Sequence, residues 1–267
     1  MDLSEKVVVI TGASMGIGEA IAKLFADHGA AIVFSSRDQA RAETARARVG
    51  HPQQSLAVAC DVCDPAQISA LLRAALERFG RVDIWVNNAG FGVIDSIEHM
   101  ERAAYRRMFE TNLFGAIEAM QQVIPVMKRQ RSGCIINISS VAGYIVVPYM
   151  GAYGATKRAL NGISRAARFE LRGTGVSVVN ICPGYVKTDF GENAVRGSEG
   201  KRISASIRRG ITAERVAQAV LRAYQCDVTE TVVPWHNRIA IGLAFLAPFV
   251  INFALRRLLK DERERTA

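Results

Sequence analysis

Cysteine is scarce in this sequence, and its pattern does not suit a disulfide framework. The 267 residues include five cysteines, an odd number, and MDLSEKVVVITG leads straight into a strand-like apolar run. We therefore expect no secretory leader, a reducing environment and a cytoplasmic location. Cys60 and Cys63 form a single C-x-x-C pair, whereas a zinc or redox site needs a second pair or a suitable setting. We interpret both cysteines as small apolar residues beside a strand end, and we expect no metal site.

Aromatic residues are few, at 7% of the chain, and they do not interleave with the basic residues. The formal net charge is +9, but the lysines and arginines are dispersed, with local concentrations at residues 196–215 and 256–265. Because no basic segment carries aromatics for base stacking, we expect no nucleic acid partner. With 49% hydrophobic and 22% charged residues, the chain has the composition of a folded protein with a substantial core.

Low-complexity linkers and short internal repeats are also missing, so we expect one domain. The chain instead alternates apolar, β-branched runs with amphipathic helical segments, including one long helix through residues 105–130. Near-continuous apolar strands separated by helices are typical of an α/β fold with a parallel sheet covered on both faces. Strands are predicted at KVVVITG, AAIVFSS, SLAVACDV, VDIWVNNAG, GCIINISS, VSVVNICPG and residues 230–233. Glycines that cap helix C-termini are predicted at Gly29, Gly80, Gly133 and Gly173.

The first predicted strand runs into TGASMGIG, a glycine-rich segment at residues 11–18. Its glycines allow a tight turn and close approach of the backbone to a pyrophosphate, and the helix that follows points its N-terminus at the negative charge. A glycine-rich turn alone is weak evidence, but its place between the first strand and the first helix strengthens it. Cofactor contacts are predicted here for Gly12, Ser14, Met15, Gly16, Ile17 and Gly18.

The end of the second predicted strand, FSSRD, indicates the type of cofactor. About twenty residues after the glycine-rich turn, an acidic side chain would hold the ribose 2′-hydroxyl of NAD. Ser36 occupies the expected acidic position, and Arg37 follows it with a guanidinium that can pair with a 2′-phosphate. We therefore predict that NADP(H) is preferred and that NAD(H) is the alternative, in which Arg37 is a surface residue and Asp38 replaces the missing acid.

Several short motifs then stand in the order of one known family. They are TGASMGIG, NNAG at residues 87–90, Asn112, ISS at 138–140, Tyr153 with Lys157, and PGYVKT at 183–188. Together they resemble the short-chain dehydrogenase/reductase family over roughly residues 5–235. The resemblance implies a Rossmann-like, doubly wound parallel sheet of about seven strands, hydride transfer involving a nicotinamide, and a homodimer or homotetramer. We assign residues 1–235 to this catalytic domain and residues 236–267 to an apolar, then basic, helical extension.

Tyr153 and Lys157 lie one helical turn apart in AYGATKRAL. Alone, the pair could be two neighbours on a solvated helix face, but the other motifs favour a chemical role. Bringing the pKa of a tyrosine from 10 to near 7 takes about 4 kcal/mol. A positive charge about 4 Å away supplies roughly that much at an effective dielectric constant of 20. We predict that Lys157 lowers the pKa of Tyr153, the general acid/base. The resemblance implies that both residues also contact the cofactor, Lys157 at the nicotinamide ribose.

Two further polar residues complete the predicted catalytic set. Ser140 lies thirteen residues before Tyr153, the spacing of the family's catalytic serine, and the resemblance implies that it hydrogen-bonds the substrate oxygen. For its neighbour Ser139 we predict a backbone-capping role. Asn112 stands in an apolar helix, where an asparagine is otherwise costly. It bonds a backbone carbonyl or, as the resemblance implies, holds a water that passes protons through Lys157, and both can hold together.

The other predicted cofactor contacts lie at the carboxyl ends of strands, where an open parallel sheet binds its ligands. The resemblance implies that NNAG lines the adenine-ribose side, that the end of the third strand contacts adenine, and that PGYVKT reaches the nicotinamide carboxamide. The residues are Asp61, Val62, Asn88, Ala89, Gly90, Pro183, Gly184, Val186 and Thr188.

Three stretches bear on the substrate and on location. VAGYIVVPYMGA, before Tyr153, is an apolar wall that predicts a lipophilic carbonyl or alcohol, and residues 189–210 predict a lid. Residues 239–255 carry no charge, are flanked by arginines, and are a little short for a ~30 Å hydrocarbon core. Peripheral membrane contact, pocket cover or subunit interface, and a true span stay open for this stretch.

The sequence thus predicts an NADP(H)-dependent oxidoreductase that interconverts a carbonyl and an alcohol, with Tyr153 as the acid/base. One alternative is an NAD-dependent alcohol dehydrogenase of the same family. Another is a cofactor-sensing binding protein without catalysis, against which the intact set of Ser140, Tyr153, Lys157 and Asn112 argues.

Overall fold

A computed structural model describes residues 3–197, 210–249 and 253 of the chain. Within these residues the chain forms nine strands and eight α-helices. The strands are β1 (Val7–Thr11), β2 (Ala31–Ser36), β3 (Ser55–Ala59), β4 (Ile84–Asn87), β5 (Val93–Ile94), β6 (Gly133–Ile138), β7 (Val176–Pro183), β8 (Val195–Arg196) and β9 (Glu230–Val233). The helices are α1 (Gly16–Asp27), α2 (Gln39–Val49), α3 (Pro65–Phe79), α4 (Arg102–Phe109), α5 (Gly115–Gln130), α6 (Gly151–Glu170), α7 (Ala213–Gln225) and α8 (Asn237–Leu246).

Seven strands form one sheet in the order β3-β2-β1-β4-β6-β7-β9, and every neighbouring pair is parallel. The chain winds outward from β1 to β3, returns to place β4 on the other side of β1, and winds outward again to β9. This arrangement confirms the predicted Rossmann-like α/β fold with seven parallel strands. The strand order reverses between β1 and β4, so a crevice opens at the carboxyl ends of these two strands.

Each face of the sheet carries its own apolar layer. On one face, Ile10 and Phe34 of the sheet pack with Phe25 of α1 and Val220 of α7. On the other face, side chains of the alternate strand positions, such as Trp85, pack with α3 and α5. Successive strand residues point to opposite faces, so a strand covered on both faces must be apolar at almost every position. This burial explains the continuous apolar runs in the sequence.

The C-terminal part stands apart from this core. The helix α8 follows β9 and has no buried residue, and Leu246 at its end is 88% exposed. In the part of the chain that the structure describes, no helix is both long and apolar enough to cross a membrane. Residues 250–252 and 254–255 of the predicted apolar stretch, and residues 198–209 of the predicted lid, lie outside the described residues.

Candidate active site

The glycine-rich turn between β1 and α1 has backbone angles and close contacts that only glycine tolerates. Gly12 and Gly16 have φ angles of +64° and +59°, in the left-handed region that other residues avoid. A Cβ atom on Gly18 would lie 2.4 Å from the Gly12 carbonyl oxygen and 2.6 Å from Nδ2 of Asn88. The backbone is therefore open at the turn itself, which suits close approach of a pyrophosphate.

The first turn of α1 is available to an anion. Met15 stands at the N-cap position in an extended conformation, and its side chain makes no capping hydrogen bond. The first backbone N–H groups of the helix thus point at the crevice with the positive end of the helix dipole. This uncapped end and the glycine cradle fit the diphosphate of a dinucleotide.

Arg48, which the sequence reasoning missed, fastens the same turn to α2. Its Nε atom lies 2.6 Å from the Glu19 carboxylate, and its Nη2 atom donates to the Ser14 carbonyl at 3.0 Å. No local signal identifies it, because the contact joins residues 34 positions apart in the chain.

The NNAG segment after β4 locks onto the glycine-rich turn. The Thr11 hydroxyl accepts hydrogen bonds from the backbone N–H groups of Asn88 and Ala89, both at 3.1 Å. The Asn88 side chain donates to the carbonyls of Thr11 and Gly12. The two segments thus form one rigid floor, in which Thr11 is a second residue that the sequence reasoning missed.

After β2, the two residues that could select the cofactor, Arg37 and Asp38, have different surroundings. Asp38 is the N-cap of α2, and its carboxylate accepts from the N–H groups of Ala40 and Arg41. The Ser36 hydroxyl accepts from the Asp38 N–H at 3.4 Å, and Arg37 is exposed beside them. The carboxylate that could replace the missing acid is therefore engaged in capping a helix.

The segment after β3 is held from two sides. The Asp61 carboxylate pairs with Arg107 at 3.1 Å and accepts from the Cys63 N–H, while Val62 is buried. Burial raises the pKa of Cys60 to about 12 and also raises the pKa of Cys63, so both thiols stay protonated at neutral pH. In the described part of the chain, no cluster of His, Cys, Asp and Glu could hold a metal ion.

Ser140, Tyr153 and Lys157 meet at the carboxyl ends of β6 and β7. Tyr153 is 8% exposed, and its phenol lies near the Ser140 hydroxyl. Lys157, which is 5% exposed, places Nζ 5.8 Å from the centre of the Tyr153 ring and donates from it to the Ile138 carbonyl at 2.9 Å. The phenol and the ammonium are thus neighbours, and both side chains are almost completely buried.

The pKa of Tyr153 differs in direction from our prediction. Burial raises it to about 12, because the charged phenolate loses its hydration, and the hydrogen bond with Ser140 offsets only part of this rise. Burial also lowers the pKa of Lys157 to about 8. The predicted lowering of the tyrosine pKa by the Lys157 charge is therefore wrong for this structure. The phenol is protonated at neutral pH.

Asn112 lies in a five-residue π-helix, Glu110–Phe114, between α4 and α5. Its side chain accepts from the Phe91 N–H at 3.0 Å and donates to the Phe91 carbonyl at 2.9 Å. The predicted bond to a backbone carbonyl is confirmed. A Cβ atom on Gly90 would lie 3.0 Å from Oδ1 of Asn112 and 3.8 Å from Nζ of Lys157, so these three residues also converge.

The capping role that we predicted for Ser139 belongs to its neighbour. Ser140 is the N-cap of a short 3-10 helix, Val141–Gly143, and its hydroxyl accepts from the Ala142 N–H. Ser139 is buried and bonds the Asn161 side chain and the Lys157 carbonyl instead. The capping bond fixes the position of the Ser140 hydroxyl at the carboxyl end of β6.

The PGYVKT segment after β7 closes the crevice from the far side. Ser140 Oγ lies 3.4 Å from the Pro183 carbonyl oxygen, and Gly184 lies against β9. Thr188 reaches back to the glycine-rich turn, where a Cβ atom on Gly16 would lie 3.3 Å from its methyl group. Val186 pairs instead with Ile211 in an isolated bridge.

An aromatic ring packs against the Tyr153 phenol. Phe190 packs against Tyr153 with ring centres 5.6 Å apart, and it also closes on Gly92. The short pair β5–β8 holds this segment beside the β4 loop. Phe190 and β8 lie in residues 189–210, which were predicted as a lid, but the pair itself was missed, since two-residue strands have no periodicity to read.

Comparison with known proteins identifies the family. A model of the short chain dehydrogenase family matches residues 6–199, which is more than half of the chain. The chain belongs to the short-chain dehydrogenase/reductase family. It is therefore an oxidoreductase that acts on carbonyl or alcohol groups with a nicotinamide cofactor, and the predicted resemblance is confirmed.

Individual relatives agree with this membership. A ketoacyl reductase of Nostoc sp. is 36% identical over 86% of this chain and 79% of its own. A D-beta-hydroxybutyrate dehydrogenase of Rhizobium meliloti is 36% identical over 81% of this chain and 82% of its own. The crystal structure of a short chain dehydrogenase/reductase from Burkholderia phymatum, in complex with NAD, superimposes with a TM-score of 0.85, covers 92% of this chain and 94% of its own, and is 26% identical.

Proposed function

We propose that this protein is an NADP(H)-dependent reductase of lipophilic ketones or aldehydes, with Tyr153 as the proton donor. One observation carries the proposal: a buried, protonated tyrosine lies beside Ser140 at the carboxyl ends of the strands, near a glycine cradle that fits a dinucleotide diphosphate. Reduction of a carbonyl consumes one hydride and one proton, and the nicotinamide supplies the hydride when it is bound. A phenol with its pKa raised to about 12 keeps its proton at neutral pH and can donate that proton to the carbonyl oxygen during the reduction.

The chain's own residues orient and stabilise the reacting oxygen. Ser140 and Tyr153 both present hydroxyl groups to the crevice, so a carbonyl oxygen between them accepts two hydrogen bonds as negative charge develops on it. Lys157 keeps a positive charge at pH 7, since its pKa is about 8, and stabilises the phenolate that remains after proton donation. Asn112, held by Phe91 next to Lys157, is positioned to hold a water that returns the proton.

The preference for NADP(H) is supported by the end of β2. Arg37 is exposed there, and the Asp38 carboxylate caps α2 and so does not replace the acid that would bind a ribose 2′-hydroxyl. The remaining cofactor contacts are proposed as predicted, from Gly12 to Gly18 around the diphosphate and from Pro183 to Thr188 beside the nicotinamide. NAD(H) is the alternative, because the Burkholderia relative binds NAD.

The substrate class is supported by the wall of the cleft and by relatives. Residues 141–152, together with the exposed ring of Phe190, offer mostly apolar surface near the Tyr153 phenol. The Nostoc relative bears the name of a ketoacyl reductase, whose substrate joins a ketone to an acyl chain. An apolar wall favours binding of such a chain, because its burial stabilises the complex by about 0.8 kcal/mol per CH₂ group.

We also propose two assemblies that the surface supports. The protein forms a homodimer or homotetramer, in which exposed Phe114 and Phe169 are covered.

The extension after residue 235 is not a separate domain, and α8 contacts the surface of an anionic membrane without spanning it. Exposed apolar side chains beside Arg238 and Arg158 support this contact, because lipid headgroups attract arginine while the interface accepts aromatic rings.

The experiment is NADPH oxidation followed at 340 nm with a panel of lipophilic ketones and aldehydes, for the wild type and Tyr153→Phe. We expect turnover by the wild type and a loss of at least about 100-fold in kcat in the variant, the usual size of a lost general acid. Tyr224→Phe removes a hydroxyl on α7 that lies near Asp83, away from the proposed site, and is expected to keep full activity. NADPH binding without turnover across the panel would favour a cofactor-sensing protein instead.

A further inference from the structure

A second tyrosine, Tyr144, lies four residues after Ser140 and ties the segment between β6 and α6 to the edge of the sheet. Its hydroxyl donates to the Glu230 carboxylate, at the start of β9. Arg165 of α6 donates to the same hydroxyl at 2.9 Å and to the carboxylate at 3.2 Å. The half-buried phenol is therefore fixed by groups from two other elements.

The ring of Tyr144 is also covered. The Arg165 guanidinium lies 5.6 Å from its centre, and Phe245 of α8 meets it edge to face at 6.5 Å. Burial and the neighbouring carboxylate raise the pKa of the Tyr144 phenol, so its proton stays on the oxygen and the bond to Glu230 persists at neutral pH. This part of α8 thus contacts the ring whose hydroxyl makes the hydrogen bond.

The same carboxylate connects to the catalytic residues by a buried path. Asn180 of β7 donates to Glu230 at 3.2 Å and to Asn161 at 2.9 Å. Asn161 in turn accepts from Ser139, whose hydroxyl also reaches the Lys157 carbonyl. Asn161 and Asn180 are both at most 3% exposed, so these bonds are made away from solvent.

The path reaches both sides of the candidate active site. Ser139 precedes Ser140, and Lys157 lies one helical turn after Tyr153. Tyr144 holds the connecting segment between them, where a shift moves the Ser140 hydroxyl relative to the phenol. The carbonyl oxygen must meet both hydroxyl groups, so this distance matters to the reaction step more than to cofactor binding.

We propose that Tyr144 is a positioning residue for the reduction: through Glu230 it fixes the segment that carries Ser140 and so holds the Ser140 hydroxyl against Tyr153. This inference rests on the proposed function for its kinetic consequence. Tyr144 does not touch the reacting atoms. It acts through the carboxylate, which keeps two other donors, Arg165 and Asn180, when the phenol is lost, whereas Arg165 loses the phenol oxygen as an acceptor.

The test is Tyr144→Phe, which keeps the ring against Phe245 and removes only the hydroxyl. We expect kcat to fall between about 10-fold and 100-fold, the cost of a misplacement on the order of 1 Å, while the Kd for NADPH stays within about twofold. Tyr224→Phe is the matched control, because this partly buried ring packs on Phe25 and lies near Asp83, before the amino end of the central strand β4 and away from Ser140 and Tyr153. It is expected to keep wild-type kcat.

A double-mutant cycle tests the route through the carboxylate. If Tyr144 acts through Glu230, Tyr144→Phe combined with Glu230→Gln has the kcat of the worse single variant, and the two effects do not add. The positioning role is overturned if Tyr144→Phe keeps kcat within about twofold, if NADPH affinity falls as much as kcat, or if the two effects add.

A structural readout separates this inference from the proposed function. In crystal structures of the wild type and Tyr144→Phe, we expect the distance between the Ser140 hydroxyl and the Tyr153 phenol to be about 1 Å longer in the variant. If the wild type shows no reductase turnover, the proposed function fails, and this comparison still decides the positioning role. An unchanged distance between the two hydroxyl groups overturns it.

Discussion

Tyr153 and Lys157 are titratable side chains that the fold removes from water, and burial shifts their pKa values in opposite directions. The phenol is held neutral because its pKa is raised to about 12, and the ammonium is easier to neutralise because its pKa is lowered to about 8. The two pKa values, nearly equal in water, therefore move apart to about 12 and about 8, so a proton shared by the pair resides on the phenol in preference to the amine. Burial of the Lys157 ammonium lowers the free energy of unfolding, and this effect can be measured through its dependence on pH.

Lys157→Met tests this burial through the pH dependence of stability. The folded pKa of about 8 lies below the unfolded value near 10.4, so between these pH values the unfolded chain binds more protons. The Lys157 contribution to the free energy of unfolding should rise by up to about 3 kcal/mol as pH increases from 8 to 10.4, and be lowest below pH 8. Urea unfolding of the wild type and the variant at each pH measures the difference.

Taking the difference removes the other titrating groups, which both proteins share. Thr156→Val changes a buried neighbour that does not titrate in this range, and its difference from the wild type should stay constant with pH. A Lys157→Met difference that is equally constant would show that the ammonium is not desolvated in the folded protein.

Arg37→Ala tests the cofactor preference at a single side chain. A hydrogen bond to a charged group is worth about 1.5–3 kcal/mol, so the Kd for NADPH should rise about 10-fold to 100-fold. The Kd for NADH should stay within about twofold, because NADH has no 2′-phosphate. Fluorescence titration with each cofactor gives both values.

Arg41→Ala, at another exposed arginine on α2, is the control and should change neither affinity. A wild type that binds NADH at least as tightly as NADPH, or an Arg37 variant that loses both equally, would contradict the preference for NADP(H).

Among individual residues, those that stand at a fixed spacing from one another in the sequence were predictable. Those that only the fold brings together were not. Tyr153, Lys157 and Ser140 follow from their spacing in the sequence. Arg48 and Tyr144 act through partners 34 and 86 positions away in the chain, and nothing local indicates such contacts. The raised pKa of Tyr153 was also out of reach, because the degree of burial is known only from the packed structure.

Helices and strands of ordinary length were predicted well, and local departures were not. The last strand lies at residues 230–233 as predicted. The long helix predicted through residues 105–130 is interrupted by the π-helix that carries Asn112. Inside that interruption Asn112 bonds Phe91, a contact between distant residues that a periodicity cannot reveal.

The glycine positions show the same limit. Gly29, Gly80 and Gly173 have positive φ angles near helix ends, as a cap requires. Gly133 instead begins β6, where a Cβ atom would lie 2.4 Å from the Met127 side chain. Its small size is needed for packing, which sequence alone does not distinguish from a turn.

The element α8 carries the proposed membrane contact, and Leu246→Glu tests it. Flotation with vesicles of phosphatidylglycerol and phosphatidylcholine should recover the wild type with the lipid. The variant should bind at least about tenfold more weakly, because burying a leucine is worth roughly 1.5–3 kcal/mol. Binding should also weaken with salt, since the arginines contribute through screened charges.

Ile97→Glu, which changes another exposed apolar residue outside α8, is the control and should leave vesicle binding unchanged. A wild type that stays with the soluble fraction would contradict membrane contact. If Leu246→Glu instead dissociates an oligomer in sedimentation velocity, the surface is an interface between copies of this chain.

For the whole molecule, the parallel topology assembles the site. The glycine-rich turn, the NNAG segment, Ser140 and the PGYVKT segment each follow a different strand of one sheet, and their shared edge brings them together. This convergence was predictable, because all parallel strands present their carboxyl ends to the same side. A lid was predicted at residues 189–210, but the contact of Phe190 with Tyr153 and the β5–β8 pair were not, since they depend on loop paths that no pattern encodes.

Deuteride transfer is the measurement that tests the central claim most directly. NADPH deuterated at C4 of the nicotinamide, as each of its two diastereomers, is incubated with the wild type or Tyr153→Phe and a lipophilic ketone, and the alcohol is analysed by mass spectrometry. We predict that one diastereomer places one deuterium on the carbinol carbon with the wild type and that transfer collapses in the variant. Equal transfer by Tyr153→Phe, or NADPH binding with no transfer to any carbonyl tested, would contradict the account.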